Sequence, residues 1–284
     1  MKTITISSVL SLCLLFVGCS FSIESVINNE KIKGEGEIIT EQFALESFEN
    51  LELKRGWQVI LQPASSNYMV VEANENLLEV FEYENQNGKL KVSASKQIST
   101  ADAKQITLYF TEDIESIRAS SGTEVTSLER LGFGNLSLDL SSGSEVNLNL
   151  KVESLDAETS SGAELTLALA SDDLAIESSS GSIVFVDAEA ISTRVESSSG
   201  AEVVLKGETE QLKIETSSGS TVNAKGFMAK DVITEASSGS SISVYPIENL
   251  KAGSSSGGTI NYYTKPSGRL ELNKSKSGGS INQK

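Results

Sequence analysis

The triplet Ser-Ser-Gly returns along the second half of the chain at nearly constant intervals, and no other feature limits the fold so strongly. Its glycines, with a Ser-Gly-Gly variant at the end, are Gly122, Gly143, Gly162, Gly181, Gly200, Gly219, Gly239, Gly257 and Gly278. From Gly143 to Gly219 the step is 19 residues each time. A unit of that length cannot bury a core of its own and must stack on copies of itself.

Registering the copies on their glycines shows what each place does. Three residues after the glycine every copy is aliphatic, from Val125, Val146 and Leu165 to Ile260 and Ile281. One residue after it the side chain is always small, as in Thr123, Ser144 and Ala163. Further apolar columns lie five residues after and five and seven before, with Ser127 and Thr193 among the exceptions. Steps of two are the period of a strand, not of a helix. Each copy therefore reads as strand, Ser-Ser-Gly corner, strand and return. The expected fold is all-β: a parallel β-helix, or β-solenoid, of about 19 residues per coil over residues 120–284. Glycine supplies the corner's backbone angles and the serines bond the local backbone or the next coil.

Residues 37–119 are β-rich but less regular and read as early, degenerate coils that cap the solenoid. Asn87-Gly88 signals a hairpin, Ala73 to Val80 has room for a short helix, and Trp57, the only tryptophan, suits a cap core better than a sugar platform.

The first 18 residues have the layout of an export signal: Met1-Lys2, an apolar run from Ile4 to Val17, and Gly18. The run is too short to span a membrane. Cys19 after Phe16-Val17-Gly18 resembles a bacterial lipobox, with Phe16 where Leu is usual. Loss of Cys13 with the signal leaves Cys19 without a disulfide partner, so lipidation of Cys19 and anchorage in the cell envelope, at the outer membrane, are expected. Residues 19–36 read as a flexible tether.

The formal net charge of −16 argues against nucleic acid, whose phosphates need clustered Lys and Arg. The absence of histidine removes the commonest general base and metal ligand. No catalytic residues are expected, and no cofactor beyond weakly held Ca²⁺. One column is chemically distinct: four residues before successive glycines stand Asp139, Glu158, Glu177, Glu196, Glu215 and Glu235. A second acidic column, Glu124, Glu145, Glu164 and Glu202, lies two residues after. Both flank inward columns by one residue and so face outward. Carboxylates stacked about 5 Å apart repel by roughly 1 kcal/mol per pair in water-like surroundings. Such a ladder is either well solvated or shared with divalent cations, and calcium accepts oxygen ligands of this kind.

Phe48-Glu49-Asn50-Leu51, Trp57-Gln58-Val59-Ile60-Leu61-Gln62, Val71 to Leu78, Gly88 to Val92, Ile117 to Gly122 and the closing Ser277 to Ile281 together resemble an exported bacterial family, putative auto-transporter adhesin, head GIN domain. The resemblance covers roughly residues 43–284. It implies a β-helical fold in a cell-envelope protein and supplies no active site. No series of alternating membrane strands follows residue 257, so anchorage through Cys19 is the expectation. Three function classes follow: an adhesive or structural module with a glycan or protein ligand, a β-helical carbohydrate-active enzyme, and an envelope sensor acting through protein contacts. The uniform acidic ladders favour the first, because glycosidases need carboxylate pairs at set separations.

Overall fold

In a computed structural model, which describes residues 30–274 and 277–284, the chain is a β-solenoid closed at one end by antiparallel strands. The leader, Cys19 and the first part of the expected tether lie outside the described residues.

The regular part begins with the short strands β10 (Ser116–Ala119) and β11 (Glu124–Ser127) and with β12 (Leu131–Leu140). Four strands of 15 residues follow: β13 (Glu145–Thr159), β14 (Glu164–Ser178), β15 (Ile183–Ser197) and β16 (Glu202–Thr216). Then come β17 (Thr221–Ala236), β18 (Ser241–Ser254), β19 (Thr259–Tyr262), β20 (Leu270–Lys274) and β21 (Ser280–Gln283). Each pairs in parallel with the equivalent stretch one coil away, Val146 with Leu165, Leu165 with Val184, Val184 with Val203. The aliphatic columns point inward and are almost wholly buried, so the core is a stack of Val, Ile and Leu ladders. At Glu153-Ser154 and Asp172-Asp173 two successive residues face outward, which turns the wall at a second corner without breaking the 19-residue register.

The intervals of 20 and 18 residues on either side of Gly239 (239 − 219 and 257 − 239) are absorbed in the stretches of β16, β17 and β18 that follow their corners, where the β16–β17 ladder shifts between Val204 and Lys206 and the β17–β18 ladder shifts twice. Toward β18 the ladder steps from Ala224–Val244 to Met228–Tyr245, leaving Lys225-Gly226-Phe227 unpaired on that side. Phe227 enters the core there and is fully buried. Its ladder partner is Gly207, whose φ is +100° and where a Cβ would lie 2.1 Å from the Ala188 carbonyl oxygen. Only glycine fits.

Residues 37–119 depart from a simple run of early coils. Their elements are β2 (Ile38–Ala44), β3 (Phe48–Leu53), β4 (Gln58–Pro63), β5 (Tyr68–Asn74), the single turn α1 (Glu75–Leu78), β6 (Phe81–Gln86), β7 (Gly88–Ala94), β8 (Gln97–Ile98) and β9 (Lys104–Phe110). β3 and β4 are a true coil beneath β10 and β11, with Arg55-Gly56 at positive φ where later coils have Ser-Gly. β7 and β9 stack on the outer side of β3 and β4, so order in space differs from order in the chain. Outside them the strands run antiparallel: β6 on β7, and β5 then β2 on β9. Asn87 and Gly88, both at positive φ, form the hairpin joining β6 to β7.

Large side chains plug this end. Trp57 stands one residue after its corner glycine, where the regular coils have a small residue, and is fully buried. Its indole N–H donates to the Ser93 carbonyl at 3.0 Å. Phe81 meets it edge-on at 5.3 Å, and Phe43 lies 5.5 Å from Phe81. Burial of such side chains contributes more than their neighbours' aliphatics can.

The tether expected over residues 19–36 ends early. β1 (Lys31–Ile32) pairs with β8, and the Gly34 N–H donates to the Thr100 carbonyl at 2.8 Å, because these backbone groups find ladder partners on the cap. Among the described residues no helix is long and apolar enough to cross a membrane.

Candidate functional site

Every regular corner is the same two-residue turn. In Ser141 to Ser144, Ser142 and Gly143 have φ of 54° and 68°, and the Ser144 N–H donates to the Ser141 carbonyl at 3.2 Å. Two left-handed central residues make a type I′ turn. The glycine N–H is left to reach the next coil: Gly143 donates to Ser161, Gly162 to Ser180 and Gly181 to Ser199, each at 3.2 Å. The corners are thus bonded into a continuous ridge.

Under the ridge, two columns of small residues face each other inside the wall. Ser182 Oγ lies 3.1 Å from Thr159 Oγ1 and 2.9 Å from Ser178 Oγ, and donates to the Ser179 carbonyl at 2.8 Å. Thr216 and Ser240 repeat the contact at 2.7 Å. Where the residue after the glycine is Ala201, the chain misses a partner, and Ser197 Oγ is buried without a hydrogen bond. The buried hydroxyls of these two columns bond the turns and the neighbouring coils.

Beside the ridge runs the acidic column. Asp139, Glu158, Glu177, Glu196, Glu215 and Glu235 are in direct register, each opposite the next. All six line one groove of about 700 Å³. Its other wall is the ridge, through Ser160, Ser179, Ser198, Ser217 and Ser237. The carboxylates succeed one another in file. Among the described residues no three Asp, Glu or Cys side chains gather into a group that could hold a metal ion.

The column has ends that the sequence reading did not mark. Asp139 is preceded in register by Arg118, and Arg118 by Glu52. Arg118 Nε donates to Asp139 Oδ2 at 2.6 Å, and that bond first, then the charge, raises the pKa of its guanidinium. Beyond Glu235 the column continues as Gly253 and Asn273. Within it, Arg194 binds Glu196, and Lys213 meets Glu215 at 2.6 Å, both reaching two residues along their own strand. Glu158, Glu177 and Glu235 are exposed. Counting four residues before Gly122 and six before Gly200 and Gly219 would have found Arg118, Arg194 and Lys213.

The second acidic column lies on the other side of the ridge: Glu124, Glu145 and Glu164 are in register, Ile183 interrupts them, and Glu202 follows. Gln58 donates to Glu124 at 2.8 Å. This column does not line the groove.

The family described as putative auto-transporter adhesin, head GIN domain, matches residues 47–168 and 168–266. Among curated proteins none matches the sequence. Solved structures share the fold. A putative adhesin from Parabacteroides merdae superposes with a TM-score of 0.66 at 18% identity, covering 89% of this chain and 99% of that one. A putative adhesin from Parabacteroides distasonis gives 0.67 at 14%, covering 90% and 100%. A putative lipid binding protein from Parabacteroides distasonis gives 0.65 at 14%, covering 89% and 100%. At these identities the likeness is one of fold.

Proposed function

Because the chain belongs to the putative auto-transporter adhesin, head GIN domain family, we propose that it is a non-catalytic envelope adhesin or binding module. In this reading it is exported and held at the outer membrane by a lipid on Cys19. It uses the groove beside the Ser-Ser-Gly ridge to grip an extended ligand. The groove carries the proposal: one chemical unit, a carboxylate beside a serine, is repeated at successive coils along a single channel. Adjacent coils are about 4.8 Å apart, so the channel offers its acceptors at regular intervals, which suits a polymer better than a compact substrate. Ionised carboxylates accept hydrogen bonds and serine hydroxyls both donate and accept them. A neutral glycan chain satisfies both, and an anionic one would require calcium between successive carboxylates.

An enzyme would need one carboxylate set apart from its neighbours. Here each acid has a near-identical copy one coil away.

A glycan array probed with the full chain, with and without calcium, tests the reading. The variant Glu158→Gln/Glu177→Gln/Glu196→Gln should lose binding roughly tenfold or more, since each hydrogen bond to a charged acceptor is worth about 1.5–3 kcal/mol. Its melting temperature should not fall. Equal binding by the variant sinks the groove as the site. Cys19→Ala should move the protein from the membrane to the soluble fraction; retention on the membrane sinks the anchor.

A further inference from the structure

The wall after the corners, which does not line the groove, changes character on its outward face at one boundary, between β16 and β17. Two residues after the corner glycines the column reads Glu145, Glu164, Ile183 and Glu202, and then Thr221, Ser241 and Thr259. A second outward column reads Glu189 and Glu208, and then Met228 and Tyr245. The Tyr263 N–H donates to the Val244 carbonyl at 3.0 Å, which sets Tyr263 beside Tyr245, and the Lys284 N–H donates to the Tyr262 carbonyl at 3.0 Å, which sets Lys284 beside Tyr263. Between the two columns run Asn223, Ser243 and Asn261. Both columns lose their acids at the same coil, the one in which Lys225-Gly226-Phe227 interrupts the ladder toward β18.

In a chain of net charge −16, the stretches Thr221 to Lys230, Ser241 to Ile247 and Thr259 to Lys265 contain no Asp or Glu. The Lys230 ammonium donates to Glu210 at 2.6 Å, whereas Lys225 and Lys265 are exposed and have no ion pair. Tyr263 and Met228 are 39% and 45% exposed. On the same wall in the cap, Tyr68 and Tyr109 stack on one another at 4.3 Å and cover each other. Tyr245 and Tyr263 have no aromatic partner among the described residues. A tyrosine presents an apolar ring with a polar tip, and hydroxyl and amide side chains both donate and accept hydrogen bonds. Together these are the groups that hold a sugar ring by its C–H face and its hydroxyls. Coils about 4.8 Å apart put Tyr245 and Tyr263 two and three coils, roughly 10 and 14 Å, from Glu208. At physiological salt the screening length is about 8 Å, so the acidic half of the wall does not reach them with its full charge.

We infer that this strip is a second glycan site, on the wall away from the groove, and that its ligand is an anionic polysaccharide. Tyr245 and Tyr263 stack against its rings, Ser243 and Asn261 bond its hydroxyls, and Lys225 and Lys284 pair with its carboxylates or sulfates. The site rests on the reading of the chain as a binding module but not on the groove. It needs no calcium, whereas an anionic glycan in the groove does. Glu202 and Glu208 repel such a ligand, so the site ends at β16.

Calorimetric titration of the full chain in detergent with oligogalacturonate, in EDTA and ~0.15 M salt, tests this directly. Binding is expected, and it should weaken as salt rises. Tyr245→Ala/Tyr263→Ala should weaken it about tenfold with the melting temperature kept, because both side chains lie outside the core. Tyr245→Phe/Tyr263→Phe keeps the ring faces and should bind nearly as the parent does. Lys225→Gln/Lys284→Gln should cost about two- to fivefold and flatten the salt dependence. Glu158→Gln/Glu177→Gln/Glu196→Gln, the groove variant, should bind oligogalacturonate as the parent does. Loss by that variant with the tyrosine variant unaffected would assign the ligand to the groove and overturn the strip. Binding only in calcium overturns it too, as does a chain that ignores oligogalacturonate and binds vesicles of anionic phospholipid. If the lysine variant changes the chain's sedimentation with no glycan present, the strip is covered by the acidic half of a second copy, and the proposal fails.

Discussion

The closed end and the regular coils solve the same packing problem with opposite means. The end closed by β2, β5 and β6 spends its few large residues, Trp57, Phe48, Phe43 and Phe81, on a plug that occurs once. The coils bury Phe227 and Phe133 but otherwise rely on Val, Leu and Ile at fixed intervals with a repeated turn. Stability is therefore concentrated in the first region and spread over many equivalent contacts in the second. A solenoid of nearest-neighbour contacts tolerates a weak coil in its middle. A plug with one copy has no such reserve.

The largest effect should come from Trp57→Ala. Emptying that site costs about 3–5 kcal/mol, and a denaturant midpoint should fall accordingly, with the cap's amides losing hydrogen-exchange protection first. The coil counterpart is Gly207→Ala, where a Cβ would overlap the Ala188 carbonyl. We expect a loss of ~3 kcal/mol, from the strain of a positive φ and a backbone clash. Gly162→Ala, also at positive φ but with open space around it, should cost only about 1–2 kcal/mol. Equal losses at the two glycines would show that conformation alone, not coil contact, sets the cost.

Next is the cap's ion group, a buried Glu52 between two half-exposed lysines. Burial opposes the charge on Glu52, but hydrogen bonds from Lys54 and Lys89 outweigh it and hold its pKa at about 2 against 4.5. A depressed carboxylate pKa stabilises the fold fully above 4.5, and this is lost as pH falls through about 2. The melting temperature of Glu52→Gln should lie below that of the parent at neutral pH and converge with it in acid. A constant gap would exclude the ion group as its cause.

The smallest effect separates the coils from one another. Ala201→Ser should give buried Ser197 Oγ its missing partner, as Ser182 serves Thr159 and Ser178. A gain of about 1 kcal/mol is expected. A loss would show that the wall has no room for the hydroxyl.

Much of the coil region was legible because its signal is local and repeated. Nine glycines with a small residue after them and an aliphatic three on leave one reading, and Asn87-Gly88 marked its hairpin for a local reason too. The cap was not legible in the same way. Arg55-Gly56 makes the same kind of corner without the serines that advertise it, and nothing local says that β7 and β9 lie outside β3 and β4. Those pairings join residues some 40 apart and carry no periodicity. At the groove, the acids were evident as a column. Their ridge-side serines were read as turn and ladder groups, because sequence register does not show that two columns bound one channel.

The out-of-order stacking at the closed end has a mechanical consequence. A chain held near residue 30 and loaded along its length resists differently at its two ends. The regular coils are stacked in chain order, each on its predecessor, so they can be paid out one loop at a time like thread from a spool. The first coil, β3–β4, is instead clamped between β7–β9 on one side and β10–β11 on the other. It cannot leave until later parts of the chain have moved. Among the described residues, then, the regular coils unwind in chain order, whereas the first coil is locked by strands that come after it.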